Sequence, residues 1–183
     1  LRGLIGTRMN LEMAATDEMS GIACKVQPND VCLVPEKRAE LTTEGGLDVA
    51  MQQAKLQTIV QRLQDSGIRV SMFINPEAEQ IAASAAVGAD AVEIHTGVYA
   101  DSAVGEAQEM ELERVRSAVQ WGLAAGLRVN GGHGLNYDNV GTVAGLAGLA
   151  ELNIGHAIIA RSVFTGLEAA VAEMKSLMRV AAT

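Results

Sequence analysis

Apolar positions recur along the chain with two different periods. In "RMNLEMA" (8–14), Met9, Leu11 and Met13 alternate with Asn10 and Glu12, and in "AVEIH" (91–95), Val92 and Ile94 alternate with Glu93 and His95. Such alternation places successive side chains on opposite faces of a strand. With "VCLVP" (31–35), "IRVSMFI" (68–74), "LRVN" (127–130) and "LNIGHAII" (152–159), it predicts six short strands. Between the strands the spacing becomes helical. Met19, Ile22, Ala23 and Val26 form one stripe, and Leu56, Ile59, Val60 and Leu63 another. Asn75, Pro76 and Glu77 read as a helix start, while Gly67, Gly88 and Gly126 read as helix ends just before strands. Further helices are predicted over 106–125 and 166–180; the stretch 140–149 is weaker because Gly141, Gly145 and Gly148 interrupt it.

This regular βα alternation, without an interdomain linker or a low-complexity tract, predicts an α/β protein with a parallel sheet. The sheet could be an open doubly wound one or a barrel. No GxGxxG or GxxxxGK[ST] loop follows a strand, whereas functional-looking groups do follow strands in "VGADAVEIHTG" and "LNIGHAIIARSVFTGL", as the carboxyl-face rule of barrels expects. The expected fold is therefore a TIM (β/α)8 barrel, with about six of its eight βα units in this chain. Barrel interiors are ordinarily filled by branched apolar side chains. Inward-facing carboxylates and a histidine point instead to a polar site near the strand ends or to a satisfied buried ion network. The stretch "VNGGHGLNY" (129–137) sets His133 among Gly131, Gly132 and Gly134. It reads either as a proton-transferring histidine held by a loop that can approach a ligand closely, or as a plain turn.

Composition narrows the function classes. At 183 residues, 49% hydrophobic and 20% charged, the chain is the size of one globular domain. Its net charge of -8 argues against a general nucleic-acid binder and leaves room for a local cationic pocket for phosphates. Cys24 and Cys32 lack metal-type spacing and read as reduced, buried residues with no disulfide. No apolar run approaches the roughly 18 residues of a membrane span, and the start "LRGLIGTRMN" has no secretory pattern, so a cytoplasmic protein is expected. Three histidines scattered over separate segments predict no metal site, and no cofactor is expected.

Taken together, "RMNLEMA", "CLVPEKRAELTTEGGLD", "VEIHTGVYA", "VNGGHGLNYDNV" and "ELNIGHAII" resemble pyridoxine 5′-phosphate synthase, at compatible spacing through all 183 residues. The resemblance implies a TIM barrel, assembly as a homo-octamer, and condensation of 1-deoxy-D-xylulose 5-phosphate with 3-amino-2-oxopropyl phosphate in vitamin B6 biosynthesis. It omits the family's first two βα units. Residues 1–183 are thus expected to be a single, amino-terminally incomplete barrel domain spanning the third to eighth units, with Leu1 inside the helix that leads to "RMNLEMA".

By the same resemblance Glu12 is a catalytic proton acceptor, His133 the proton donor, and Glu93 a residue that stabilises the transition state. Read from the residues alone, Glu93 could equally be a structural carboxylate paired with Arg128. Gly134, Gly155 and His156 are implied contacts to the amino-ketone phosphate, and Thr42 to the sugar phosphate. The family's other catalytic histidine belongs to the early strands and has no counterpart here; His95 does not replace it. The implied partners are phosphorylated small molecules and further copies of the chain, with no nucleic acid and no membrane. Two alternatives stay open: another phosphate-binding barrel isomerase or synthase, or a noncatalytic truncated fragment.

Overall fold

A computed structural model describes residues 2–36, 40, 42 and 45–181. Strands and helices alternate in the order β1 (Asn10–Ala14), α1 (Asp17–Val26), β2 (Asp30–Val34), α2 (Gln53–Asp65), β3 (Arg69–Ile74), α3 (Ala78–Ala86), β4 (Ala91–His95), α4 (Gly97–Asp101), α5 (Glu106–Ala124), β5 (Arg128–Gly132), α6 (Val140–Ala144), β6 (Glu151–Asn153), α7 (His156–Thr165) and α8 (Leu167–Ala181). A 3-10 turn, Ala50–Gln52, leads into α2. The six strands form one sheet in the order β1-β2-β3-β4-β5-β6, parallel throughout.

The strand register explains why alternation was so marked in the sequence. Met13 pairs with Leu33, Leu33 with Met72, Met72 with Val92 and Val92 with Val129, a continuous apolar row. These residues belong to one core with Leu56, Val60 and Leu63 of α2, Ile81 of α3 and Val115 and Val119 of α5. Most are fully buried, and each large aliphatic side chain so buried is worth about 1.5–3 kcal/mol. The neighbouring row runs Glu12, Cys32, Ser71, Ala91, Arg128 and faces the other way. Phe73, Glu93, Asn130 and Glu151 form the next row on that polar side.

Local chemistry sets the element ends. Thr16 caps α1, its Oγ1 accepting from the Met19 N–H at 3.2 Å, and Asp17 and Glu18 follow in the first turn, where carboxylates suit the helix dipole. Gly67, Gly88 and Gly126 stop their helices at φ of 76°, 80° and 79°, conformations that favour glycine.

β1 and β6 are the two edges of the sheet, yet Glu12 of β1 and Asn153 of β6 line the same cavity. The sheet is therefore curled, with helices outside and polar side chains within: six βα units of a TIM-type barrel wall.

Several boundaries differ from expectation. "LNIGHAII" is not one strand: β6 ends at Asn153, and His156 opens α7. A short apolar run fits a strand or a helix equally well by period, and here Gly155 serves as the N-cap of a helix rather than as a strand residue. Gly131 and Gly132, expected to hold His133 from the loop, are the last residues of β5. The helix α4 was not anticipated. Leu1 lies outside the described residues, and residues 2–4 form a turn rather than a helix leading to β1.

Candidate active site

The carboxyl ends of the strands surround a cavity of about 760 Å³. Glu12 reaches it from β1, Phe73 from β3, Glu93 from β4 and Asn153 from β6; His133 and Gly134 reach it from the loop after β5, and Gly155 and His156 from the start of α7. Six of the seven residues singled out from the sequence are thus brought together. Thr42 is the exception: it does not appear among the described lining residues, and its hydroxyl donates to the Gly46 carbonyl at 3.1 Å within its own loop. Lys37 and Arg38, beside it in sequence, lie outside the described residues.

His133 is held in an uncommon backbone conformation. Its φ of 80° is positive, which costs free energy in a residue other than glycine. The fully buried Thr96 braces it. The Thr96 hydroxyl lies 2.8 Å from the Gly132 carbonyl and 2.6 Å from that of His133, and the Thr96 N–H donates to Gly132 at 2.8 Å. The imidazole stacks on that of His95, with ring centroids 4.8 Å apart and planes inclined by 23°. Phe73 meets the His95 ring edge-on at 5.1 Å. Gly97 makes the stack possible, because a Cβ there would stand 2.5 Å from His95 Cε1 and 3.0 Å from His133 Cδ2. The Gly97 N–H points at His95 Nδ1 from 3.3 Å.

Glu93 is buried, and its partners are not the cation that sequence reading offered. Arg128 lies 3.6 Å from Glu151 instead. Glu93 Oε2 accepts from Asn153 Nδ2 at 2.5 Å and from the Cys32 thiol at 3.5 Å. Burial pushes the Glu93 carboxyl above its usual range, and Glu12 and Glu151 act in the same direction, while the hydrogen bonds from Asn153 and Cys32 pull it back down. Burial, and then the adjacent Glu93, push the Cys32 thiol well up, so the sulfur keeps its proton and serves as a donor. Both cysteines are free, but Cys24 is only half-buried.

The start of α7 supplies a different kind of group. Gly155 is its N-cap, no side chain caps the helix, and nothing stands within 4 Å of where a Gly155 side chain would be. The uncapped start of a ten-residue helix therefore borders the cavity through Gly155, His156 and Ala157, an arrangement suited to an anion. Among the described residues no group of three or more His, Cys, Asp or Glu is placed to hold a metal ion. No helix among them is long and apolar enough to cross a membrane.

A curled parallel sheet with its polar cavity at the strand carboxyl ends defines a TIM-barrel type of enzyme scaffold. The chain belongs to the family described as pyridoxal phosphate biosynthesis protein PdxJ, whose profile matches residues 1–180. It is 54% identical over 181 residues to the pyridoxine 5′-phosphate synthase of Geobacter sulfurreducens, covering 99% of this chain and 76% of that protein. Likeness to solved structures extends to the fold alone. The Amycolatopsis orientalis BexX/CysO complex matches with a TM-score of 0.60 at 14% identity over 90% of this chain, which spans 59% of that one. A HpcH/HpaI aldolase/citrate lyase family protein from Burkholderia cenocepacia matches with a TM-score of 0.59 at 13% identity, covering 96% and 77% of the two chains.

Proposed function

We propose that this chain is a pyridoxine 5′-phosphate synthase, condensing 1-deoxy-D-xylulose 5-phosphate with 3-amino-2-oxopropyl phosphate. The observation that carries the reading is the convergence of Glu12, Glu93 and His133 with the open start of α7 on one cavity, in a chain of this family. Closing the pyridine ring requires imine formation, loss of phosphate and loss of water. Protons must leave carbon and nitrogen and be delivered to departing oxygens. Glu12 takes the role of proton acceptor from the β1 side. His133, across the cavity, donates to leaving oxygen. Glu93, in a partly dry setting between them, stabilises positive charge that develops on the imine. The N–H groups around Gly155 and His156, with the backbone at Gly134, receive the amino-ketone phosphate.

Two further elements belong to the proposal. The unpaired edges of β1 and β6 are closed by two more βα units, which also supply the rest of the sugar-phosphate pocket; Thr42, turned into its own loop here, joins that pocket on substrate binding. The enzyme works in the cytoplasm as a homo-octamer. The deciding experiment supplies the full-length protein with both phosphorylated substrates and measures pyridoxine 5′-phosphate together with released inorganic phosphate. Equal amounts of the two are expected. Isomerisation of either substrate without ring formation would assign the scaffold to another barrel enzyme.

A further inference from the structure

Asn153 has no part in the mechanism above, yet it makes the shortest contact to Glu93. It sits on β6, while Glu93 sits on β4, and β5 lies between them. β5 leaves a gap between them. Gly132 is that gap: it pairs with His95 on one side and Asn153 on the other. A Cβ at Gly132 would collide with Glu93 Oε1 and stand 3.0 Å from the Asn153 carbonyl oxygen. Glu93 Oε1 occupies that gap, while Asn153 Nδ2 meets Glu93 Oε2 at 2.5 Å, and Cys32 approaches the same oxygen from β2 at 3.5 Å.

Two donors on one oxygen, from strands on opposite sides, fix both the position and the roll of the carboxylate. We infer that Asn153 is a positioning residue which, with Cys32, clamps Glu93 through Oε2 and so sets its carboxylate toward the positive charge that develops on the substrate. The inference rests on the synthase reading for the identity of that charge, though not for the clamp itself. The other groups that act on Glu93 are Glu12 from β1 and Glu151 from β6, both of which oppose its ionisation. His95 shares its strand and His133 follows β5, while β3 contributes the uncharged Ser71 and Phe73. Asn153 is thus the principal group that favours the anion without carrying a charge of its own.

The test is the pH dependence of kcat/KM in the full-length enzyme. In Asn153→Ala the acid limb should move up by about one pH unit, so that activity below neutrality falls about tenfold and is largely regained on raising the pH. KM for either substrate should change less than about twofold, since the clamp acts in the transition state. Asn153→Ser, polar but too short to reach Glu93 Oε2, should show the same displacement and serves if the alanine variant does not fold. Cys32→Ser keeps a donor and should leave the limb in place, whereas Cys32→Ala should move it in the same direction by less. An unmoved limb in both Asn153 variants overturns the inference, even if kcat falls. A second readout is the carboxyl NMR titration of Glu93, assigned by its disappearance in Glu93→Gln. If the wild-type protein forms no pyridoxine 5′-phosphate, the synthase reading fails, and the titration still decides the clamp. An upward displacement in Asn153→Ala supports it, and an unchanged titration overturns it.

Discussion

At the scale of single residues, the proposed mechanism assigns proton transfer and binding to different groups, and substitutions can tell them apart. Glu12→Gln preserves shape and removes the proposed base. In the full-length enzyme kcat should drop about 10²–10⁴-fold, with the thermal midpoint close to that of the wild type; near-normal turnover would remove Glu12 from the role. His133→Asn should lose turnover to a similar degree, and asparagine tolerates the positive φ at this position better than most residues. Binding of the amino-ketone phosphate, measured calorimetrically, should survive, because its N–H donors lie at the start of α7. Equal loss of binding and turnover would make His133 a structural residue. Burial of Glu93 carries a stability cost at neutral pH. Its carboxyl is raised in the folded state, chiefly by burial, so the folded chain holds the proton more firmly than the unfolded one. The corresponding stabilisation is complete below the ordinary carboxylate range and is lost as pH rises through the raised value. Glu93→Gln should therefore melt higher than wild type at pH 8 and no higher at pH 4, about 2–4 °C for each kcal/mol at this chain length. A variant less stable at pH 8 would show that the carboxylate contributes more than its burial costs. Most of these groups were legible as motifs. Asn153 was not, because it lies two strands from Glu93 and far from it in sequence, so that only the curl of the sheet brings the two side chains together.

At the scale of elements, periodicity carried most of the fold. The stripes Leu56, Ile59, Val60, Leu63 and Val92, Ile94 are buried as their spacing requires, and the helix-ending glycines have the positive φ their position demands. What periodicity could not distinguish was a three-residue strand followed by a helix from one long strand, since Ile154, Ile158 and Ile159 satisfy both patterns. Glycine within helices is equally ambiguous in sequence and is resolved by packing. Gly122 of α5 lies against β5, where an added Cβ would stand 2.6 Å from Val129 Cγ2. Gly141 of α6 has only Ala181 Cβ nearby, at 3.9 Å. Alanine improves helix propensity by about 1 kcal/mol at either place, but overpacking costs about 1–3 kcal/mol. Gly122→Ala should therefore destabilise by up to about 2 kcal/mol in urea unfolding, while Gly141→Ala should be neutral or stabilising. Equal effects at the two positions would mean that β5 yields freely and that the core around Val129 is looser than its burial implies.

For the whole molecule, the decisive feature is a barrel wall with two unpaired edges. Parallel strands are ordinarily buried on both faces and paired on both sides, and open edges invite pairing with other chains. After β6, α7 exposes Ile159, Val163 and Phe164, the last two at 78% and 89%, and α8 exposes Leu167. Singly exposed apolar residues need no explanation, but several on the helices that follow an edge strand suggest a surface for another element or subunit. Two occupants fit. If further βα units of the same polypeptide complete the barrel, these residues lie within one folded chain; if another subunit packs there, they lie at an interface. Phe164→Glu separates them. Exposing a carboxylate where a phenyl ring was buried removes about 2–3 kcal/mol of apolar burial and adds desolvation of a charge. In the full-length protein, cover by the same chain predicts a loss of unfolding free energy of at least that size, independent of protein concentration. Cover by a subunit predicts an unchanged monomer and dissociation that deepens on dilution, read by sedimentation velocity. We expect the first result, because α7 and α8 directly follow the strand whose free edge further βα units would have to pair. An unchanged unfolding free energy together with dissociation on dilution would place the subunit interface there and leave the β6 edge to be closed by some other means.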